Sequence, residues 1–117
     1  MYHEQTIIGN LGKDPDMRYT PDGKAVCTFS VAASNRKDET VWFRVTAWEK
    51  LAETCNQYLH KGSKVMVKGP LRADESGNPR VYKRNDDSWA ASYEVIAQTV
   101  RFLSGKEEQA VQDDIPF

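Results

Sequence analysis

The sequence predicts an all-β domain with one helix, its strands curled into a small five-stranded barrel. Three observations carry this prediction. "KAVCTFSVAAS", "TVWFRVTAW" and "SKVMVKG" alternate with period two, a single segment has apolar residues recurring at three and four, and 117 residues make about one domain. No window approaches the roughly 18 apolar residues of a membrane span, and "MYHEQTIIGN" lacks the basic-then-apolar layout of a secretory leader. A cytosolic-type protein is expected.

The first strand is expected in "TIIGNLG", where Gly9 and Gly12 interrupt the apolar run. Glycine inside a strand marks a bulge, a bend or a close backbone approach, so this strand should curl. "KDPDMRYTPDG" follows, with Pro15, Pro21 and Asp22-Gly23 as turn chemistry. The second strand places Ala25, Cys27, Phe29, Val31 and Ala33 on one face. Val26, Thr28, Ser30 and Ala32 fall on the other, a small, half-polar surface that a ligand can approach closely.

After the polar "ASNRKDET", the third strand turns Val41, Phe43, Val45 and Ala47 to the core and Trp42, Arg44, Thr46 and Trp48 outward. The period then changes. Leu51, Ala52, Cys55, Tyr58 and Leu59 predict an amphipathic helix over 49–61, stopped by Gly62. The fourth strand carries Val65 and Val67 inward and Lys64, Met66 and Lys68 outward. Residues 73–88 predict a long hairpin excursion around "RVYKR", and "WAASYEVIAQTVRFL" a fifth strand with a bulge between Val95 and Val100. Five strands, a helix between the third and fourth and an excursion before the fifth suit the OB-fold. Residues 1–104 are expected to form this domain, and 105–117 a disordered acidic tail.

The 16 basic and 17 acidic residues are unevenly placed. Residues 1–106 hold all 16 bases against 13 acids, a balance of +3, while 107–117 hold four acids and no base. A mildly basic body with an acidic tail results. That tail closes on Asp113, Asp114, Ile115, Pro116 and Phe117, and apolar residues directly after paired acids gain nothing unless a partner receives them, so the run is expected to be a docking peptide.

Cys27 and Cys55 lack metal-ligand or redox spacing and sit in apolar patterns, so both are expected as reduced core thiols. His3 and His60 occupy unrelated contexts; no phosphate loop, nucleophile elbow or metal-ligand set appears, and the adjacent acids Asp86-Asp87 and Asp113-Asp114 sit in loop and tail as solvated charge rather than as an acid and base set. No enzyme, cofactor or metal is expected.

The outward face of "TVWFRVTAW" needs a different explanation. Aromatic rings spaced along a groove with nearby cations grip single strands without reading sequence, because every base offers a flat face. Trp42, Arg44 and Trp48 supply that combination, with same-face neighbours roughly 6.5–7 Å apart. Lys50, Lys61, Lys64, Lys68 and Arg72 extend a basic track, and Tyr82, Lys83, Arg84 and Trp89 are placed to fold over a bound strand. The alternative is a protein-assembly adaptor barrel that packs its tryptophans at an interface. Arg44 weighs against a sealed face, because a buried guanidinium needs a partner and no acid on a neighbouring strand is evident from sequence.

"GNLGKDPDMRYTPDGKAV", "VWFRVTAWEKLAETCNQYLHKGSKVMVKGPLR" and "DDIPF" together resemble the bacterial-type single-stranded DNA-binding proteins over most of the chain. The resemblance implies a non-catalytic, nucleoid-associated protein that coats single-stranded DNA in replication, recombination and repair. It implies that Trp42 and Trp48 stack bases, that Arg44 and Lys50 contact the backbone, that barrels assemble as a homotetramer, and that the Asp113–Phe117 tip docks replication and repair proteins. Two aromatic positions common in the family are unfilled here, in "ASNRKD" and "ADES", and Trp89 or Tyr82 is expected to compensate.

Overall fold

The computed structural model describes residues 1–35 and 39–103. The tail, with the expected docking residues Asp113, Asp114, Ile115, Pro116 and Phe117, lies outside the described residues. Among the described residues, nine strand segments and one helix follow in chain order: β1 (Gln5–Leu11), β2 (Asp16–Tyr19), β3 (Ala25–Ser34), β4 (Thr40–Trp48), α1 (Glu49–Tyr58), β5 (Lys64–Gly69), β6 (Val81–Lys83), β7 (Trp89–Ala91), β8 (Tyr93–Ile96) and β9 (Thr99–Phe102).

The main sheet runs β8-β4-β3-β1-β5-β9, with β2 also paired to β3, while β6 and β7 form a separate hairpin. Strand pairing is antiparallel except between β4 and β8. The ladder does not close into a ring. Its two ends, β8 and β9, are consecutive pieces of one chain segment that leaves β4 and crosses to β5 through Ala97 and Gln98. Ala97 N–H donates to the Thr46 carbonyl at 2.8 Å and Gln98 N–H to the Lys68 carbonyl at 2.9 Å, so the crossover itself stitches the sheet ends together.

Each expected strand has a counterpart, but the first and last divide. The first curls after Leu11, and its second arm, Asp16–Tyr19, pairs with β3 within the stretch expected as turns. Pro15 and Pro21 flank that arm without entering its ladder, consistent with proline's missing donor. The helix therefore follows β4 rather than a third strand. The expected slip between Val95 and Val100 is the break between β8 and β9. Trp89, expected in the last strand, belongs instead to the β6–β7 hairpin, paired with Lys83.

One core fills the barrel. Ile7, Leu11, Cys27, Phe29, Val31, Val45, Val65, Val67, Val95, Val100 and Phe102 are buried, with Ala52, Cys55 and Leu59 closing one end from the helix side. These are the faces that period-two alternation assigns inward, and each buried aliphatic side chain contributes roughly 1.5–3 kcal/mol. Both cysteines are free and buried. Burial, with the Asp16 charge adding to it, raises the Cys27 thiol to about 11, and burial pushes Cys55 higher still.

The helix ends at Tyr58, three residues before the expected boundary at 61. Leu59 leaves it extended (φ -91°, ψ 148°) to enter the core, its N–H still bonded to the Cys55 carbonyl at 2.9 Å. Gly62, at φ 90°, serves the following turn, in which Ser63 N–H reaches the His60 carbonyl at 3.0 Å. No linker separates β4 from α1. Trp48 is still extended, and Glu49, the first helical residue, has a positive φ of 57°.

Candidate nucleic-acid interface

The outward face of β4 is defined by pairing register. Trp42 lies opposite Ala32, Arg44 opposite Ser30, Thr46 opposite Thr28 and Trp48 opposite Val26, so small β3 side chains floor the surface between two indoles. Trp42 is 52% exposed and Trp48 41%, and Arg44 between them is exposed. The Trp42 ring lies across Gly12. A Cβ on Gly12 would meet its Cη2 and Cζ3 atoms at 2.7 Å, so the absent side chain is what seats the indole. Gly9 is a true backbone approach, since a Cβ there would lie 2.1 Å from the Ala32 carbonyl oxygen.

Beside this face is a groove of about 430 Å³. Its floor is Val26, Thr28, Arg44, Thr46 and Trp48, and its walls include Arg18, Arg72, Arg80, Tyr82 and Glu94. The hairpin forms the outer wall, where Tyr82 Oη lies 3.2 Å from Ser92 Oγ. Four guanidinium groups thus line one cavity with a single acid among the described lining residues. That combination of flat rings, cations and a small-residue floor suits a flexible polyanion carrying planar groups.

The fold brings together some of the expected site residues and disperses others. Arg44, Trp48, Arg72 and Tyr82 line the groove, and Trp42 continues the same β4 face. Lys64 shares a cross-strand row with Trp42 through Asn10 and Ala32, three strands away and roughly 14 Å by strand spacing. Lys50 is exposed in the first turn of α1. Lys61 lies in the turn beyond the helix, its backbone N–H held by Asp14 Oδ1 at 2.7 Å. Arg84 and Trp89 sit towards the far end of the hairpin, with Lys83 Nζ 5.9 Å from the Trp89 ring centroid and 3.7 Å from Asp87 Oδ1.

Thr46, expected outward, is buried, because β8 pairs alongside at Ile96 and covers it. Sequence reasoning missed three charged groove residues, Arg18, Arg80 and Glu94. Arg18 was hidden because Asp16–Tyr19 reads as turn chemistry, although its alternation is visible. Arg80 lies one residue before β6, at the end of a polar loop where local pattern carries no signal for it. Glu94 is an acid on the strand next to Arg44, directly opposite it in register, contrary to the expectation that none was available. Its ion pairs, however, go to Arg72 and Arg80, each 3.6 Å from the same oxygen.

The sequence matches the single-strand binding protein family over residues 2–103. The chain belongs to that family. Among curated relatives, the single-stranded DNA-binding proteins of a Neisseria meningitidis serogroup A strain and a serogroup B strain are each 37% identical to it over 112 residues, covering 89% of this chain and 61% of theirs. The chain therefore spans about three-fifths of the length of these relatives. The family match contains every described groove residue and stops before the tail. Among the described residues no helix is long and apolar enough to cross a membrane, and no cluster of three or more His, Cys, Asp or Glu is placed to hold a metal.

Proposed function

We propose that this protein binds single-stranded DNA without reading its sequence, protecting exposed strands during replication, recombination and repair. The observation that carries this reading is the exposed Trp42-Arg44-Trp48 face beside a groove walled by arginines. In this reading Trp42 and Trp48 stack bases, Arg44, Arg72 and Arg80 neutralise phosphates, and Tyr82 covers the strand from the hairpin. Lys50, Lys61 and Lys64 steer it around the barrel, and Arg84 and Trp89 extend the contact along the hairpin. Family membership supports the assignment, and the small β3 floor leaves room for bases to lie close to the sheet.

The reading extends to assembly and location. Copies of residues 1–104 associate as a homotetramer around which the strand wraps, in the cytoplasm at the nucleoid. Residues 105–117 form an acidic tail whose Asp113–Phe117 run docks replication and repair proteins. Sedimentation with and without oligonucleotide measures the first, and capture of partners by the chain with and without residues 107–117 measures the second.

The decisive experiment is titration of intrinsic tryptophan fluorescence with an unstructured thymine oligomer. Quenching at low salt should reverse at high salt, with log affinity falling against log salt at a slope of roughly -0.7 per neutralised phosphate. Trp42→Ala and Trp48→Ala should each cost roughly 1–3 kcal/mol, the usual worth of a stacked base. Absent quenching, or full affinity in both mutants, would reject the proposal and favour an adaptor that uses this face to bind proteins.

A further inference from the structure

Glu94 is out of place in a surface built for a polyanion. It is the one acid among the described groove-lining residues, and its side chain is 9% exposed. Its Oε1 lies 3.6 Å from both the Arg72 and the Arg80 guanidinium. At that separation the contacts are charge pairs rather than well-formed hydrogen bonds. The two arginines remain 43% and 42% exposed, so an anion can reach them from solvent without moving the carboxylate first. They stand at the two ends of the loop between β5 and β6, and Arg72 is anchored independently by its N–H on the Glu94 carbonyl at 2.8 Å.

A carboxylate oxygen between two guanidinium groups offers the same charge and acceptor chemistry as a phosphate oxygen. We propose that Glu94 is a built-in competitor for the DNA backbone: in the free protein it occupies Arg72 and Arg80, and a nucleotide phosphate entering the groove takes over part of that pairing. Glu94 is thus a positioning residue that holds the two cations together over the groove when no strand is present. It also sets how readily a bound strand leaves. This inference rests on the single-strand-binding reading.

The test is a double-mutant cycle on the full chain, titrated with a thymine oligomer at several salt concentrations. Glu94→Gln should bind about fivefold more tightly at low salt, as expected for removing one charge near a partly screened phosphate. Arg80→Gln should cost about twofold in the wild-type background and about tenfold in the Glu94→Gln background, because only there is the guanidinium unshared. A purely structural carboxylate predicts the opposite, lower or unchanged affinity and an equal cost of Arg80→Gln in both backgrounds. Either result overturns the proposal.

Should circular dichroism show Glu94→Gln unfolded, Glu94→Asp keeps the charge but draws it back from both guanidinium groups, which share one carboxylate oxygen. It should tighten binding by about twofold and make Arg80→Gln more costly. Equal or weaker binding by that variant likewise overturns the proposal. Failure of the wild-type protein to bind the oligomer would sink the DNA-binding reading along with it. Wild-type binding without any gain in the variants would sink this inference alone.

Discussion

Replacing Gly12 by Ala should weaken DNA binding while leaving the fold intact. The new Cβ would lie 2.7 Å from the Trp42 ring, whereas carbon atoms settle at roughly 3.5–4.0 Å, so the indole must retreat by about 1 Å. Gly12 does not occupy the left-handed region, and its N–H bond to the Ser30 carbonyl at 3.1 Å does not involve a side chain, so the backbone accepts alanine. Trp42 is half exposed and can swing, at an off-rotamer cost of about 0.5–1.5 kcal/mol. Alanine's smaller loss of chain entropy recovers about 0.4–1 kcal/mol, leaving stability nearly unchanged. If a well-placed stack is worth roughly 1–3 kcal/mol, losing about half of it should weaken binding by roughly fivefold. Fluorescence titration with a thymine oligomer measures this, and urea denaturation checks the fold. Two results would refute the reasoning: full affinity in Gly12→Ala, or the same loss when the substitution is made in Trp42→Ala, where no ring remains to displace.

Three further outcomes are expected. Glu49→Val should lower stability by about 1–2 kcal/mol in urea melts, because φ 57° disfavours a β-branched side chain, whereas Glu49→Gly should not. The Cys27 thiol, raised from 9.0 to about 11, stays protonated in the folded protein after the unfolded chain has begun to ionise. Above pH 9 the unfolded state therefore binds fewer protons, so stability is complete below pH 9 and declines towards pH 11; Cys27→Ala should flatten that part of a stability-against-pH profile. Deleting residues 107–117 should leave DNA affinity equal or higher, since four negative charges no longer compete for the groove, and a loss of affinity would contradict the proposed role of the tail.

The strands that locate the β4 face were legible because each has one buried and one open side. In β3 and β4 the period-two pattern alone separates Cys27, Phe29, Val31 and Val45 from Trp42, Arg44 and Trp48. Legibility failed where neighbours overrule local pattern. Asp16–Tyr19 has too few apolar residues to announce a strand, and it forms one because β3 presents an unpaired edge to it. Thr46 has the sequence environment of an outward residue and is buried where β8 pairs beside it at Ile96. Helix periodicity runs on to Leu59, but the pull of the core on that side chain ends the helix at Tyr58.

The alternation of apolar and polar residues, which needs only the geometry of an extended chain, settled from sequence that two indoles and a guanidinium would share one face. Which charges meet over that face depends on strands far apart in the chain. Arg18 and Glu94 come from β2 and β8, Arg72 and Arg80 from the two ends of the β5–β6 loop, and they share a groove because the last strand leaves β4 and crosses to β5. Coulomb interactions fall with distance through space rather than along the sequence, so the balance of four cations against one acid is a property of the tertiary structure.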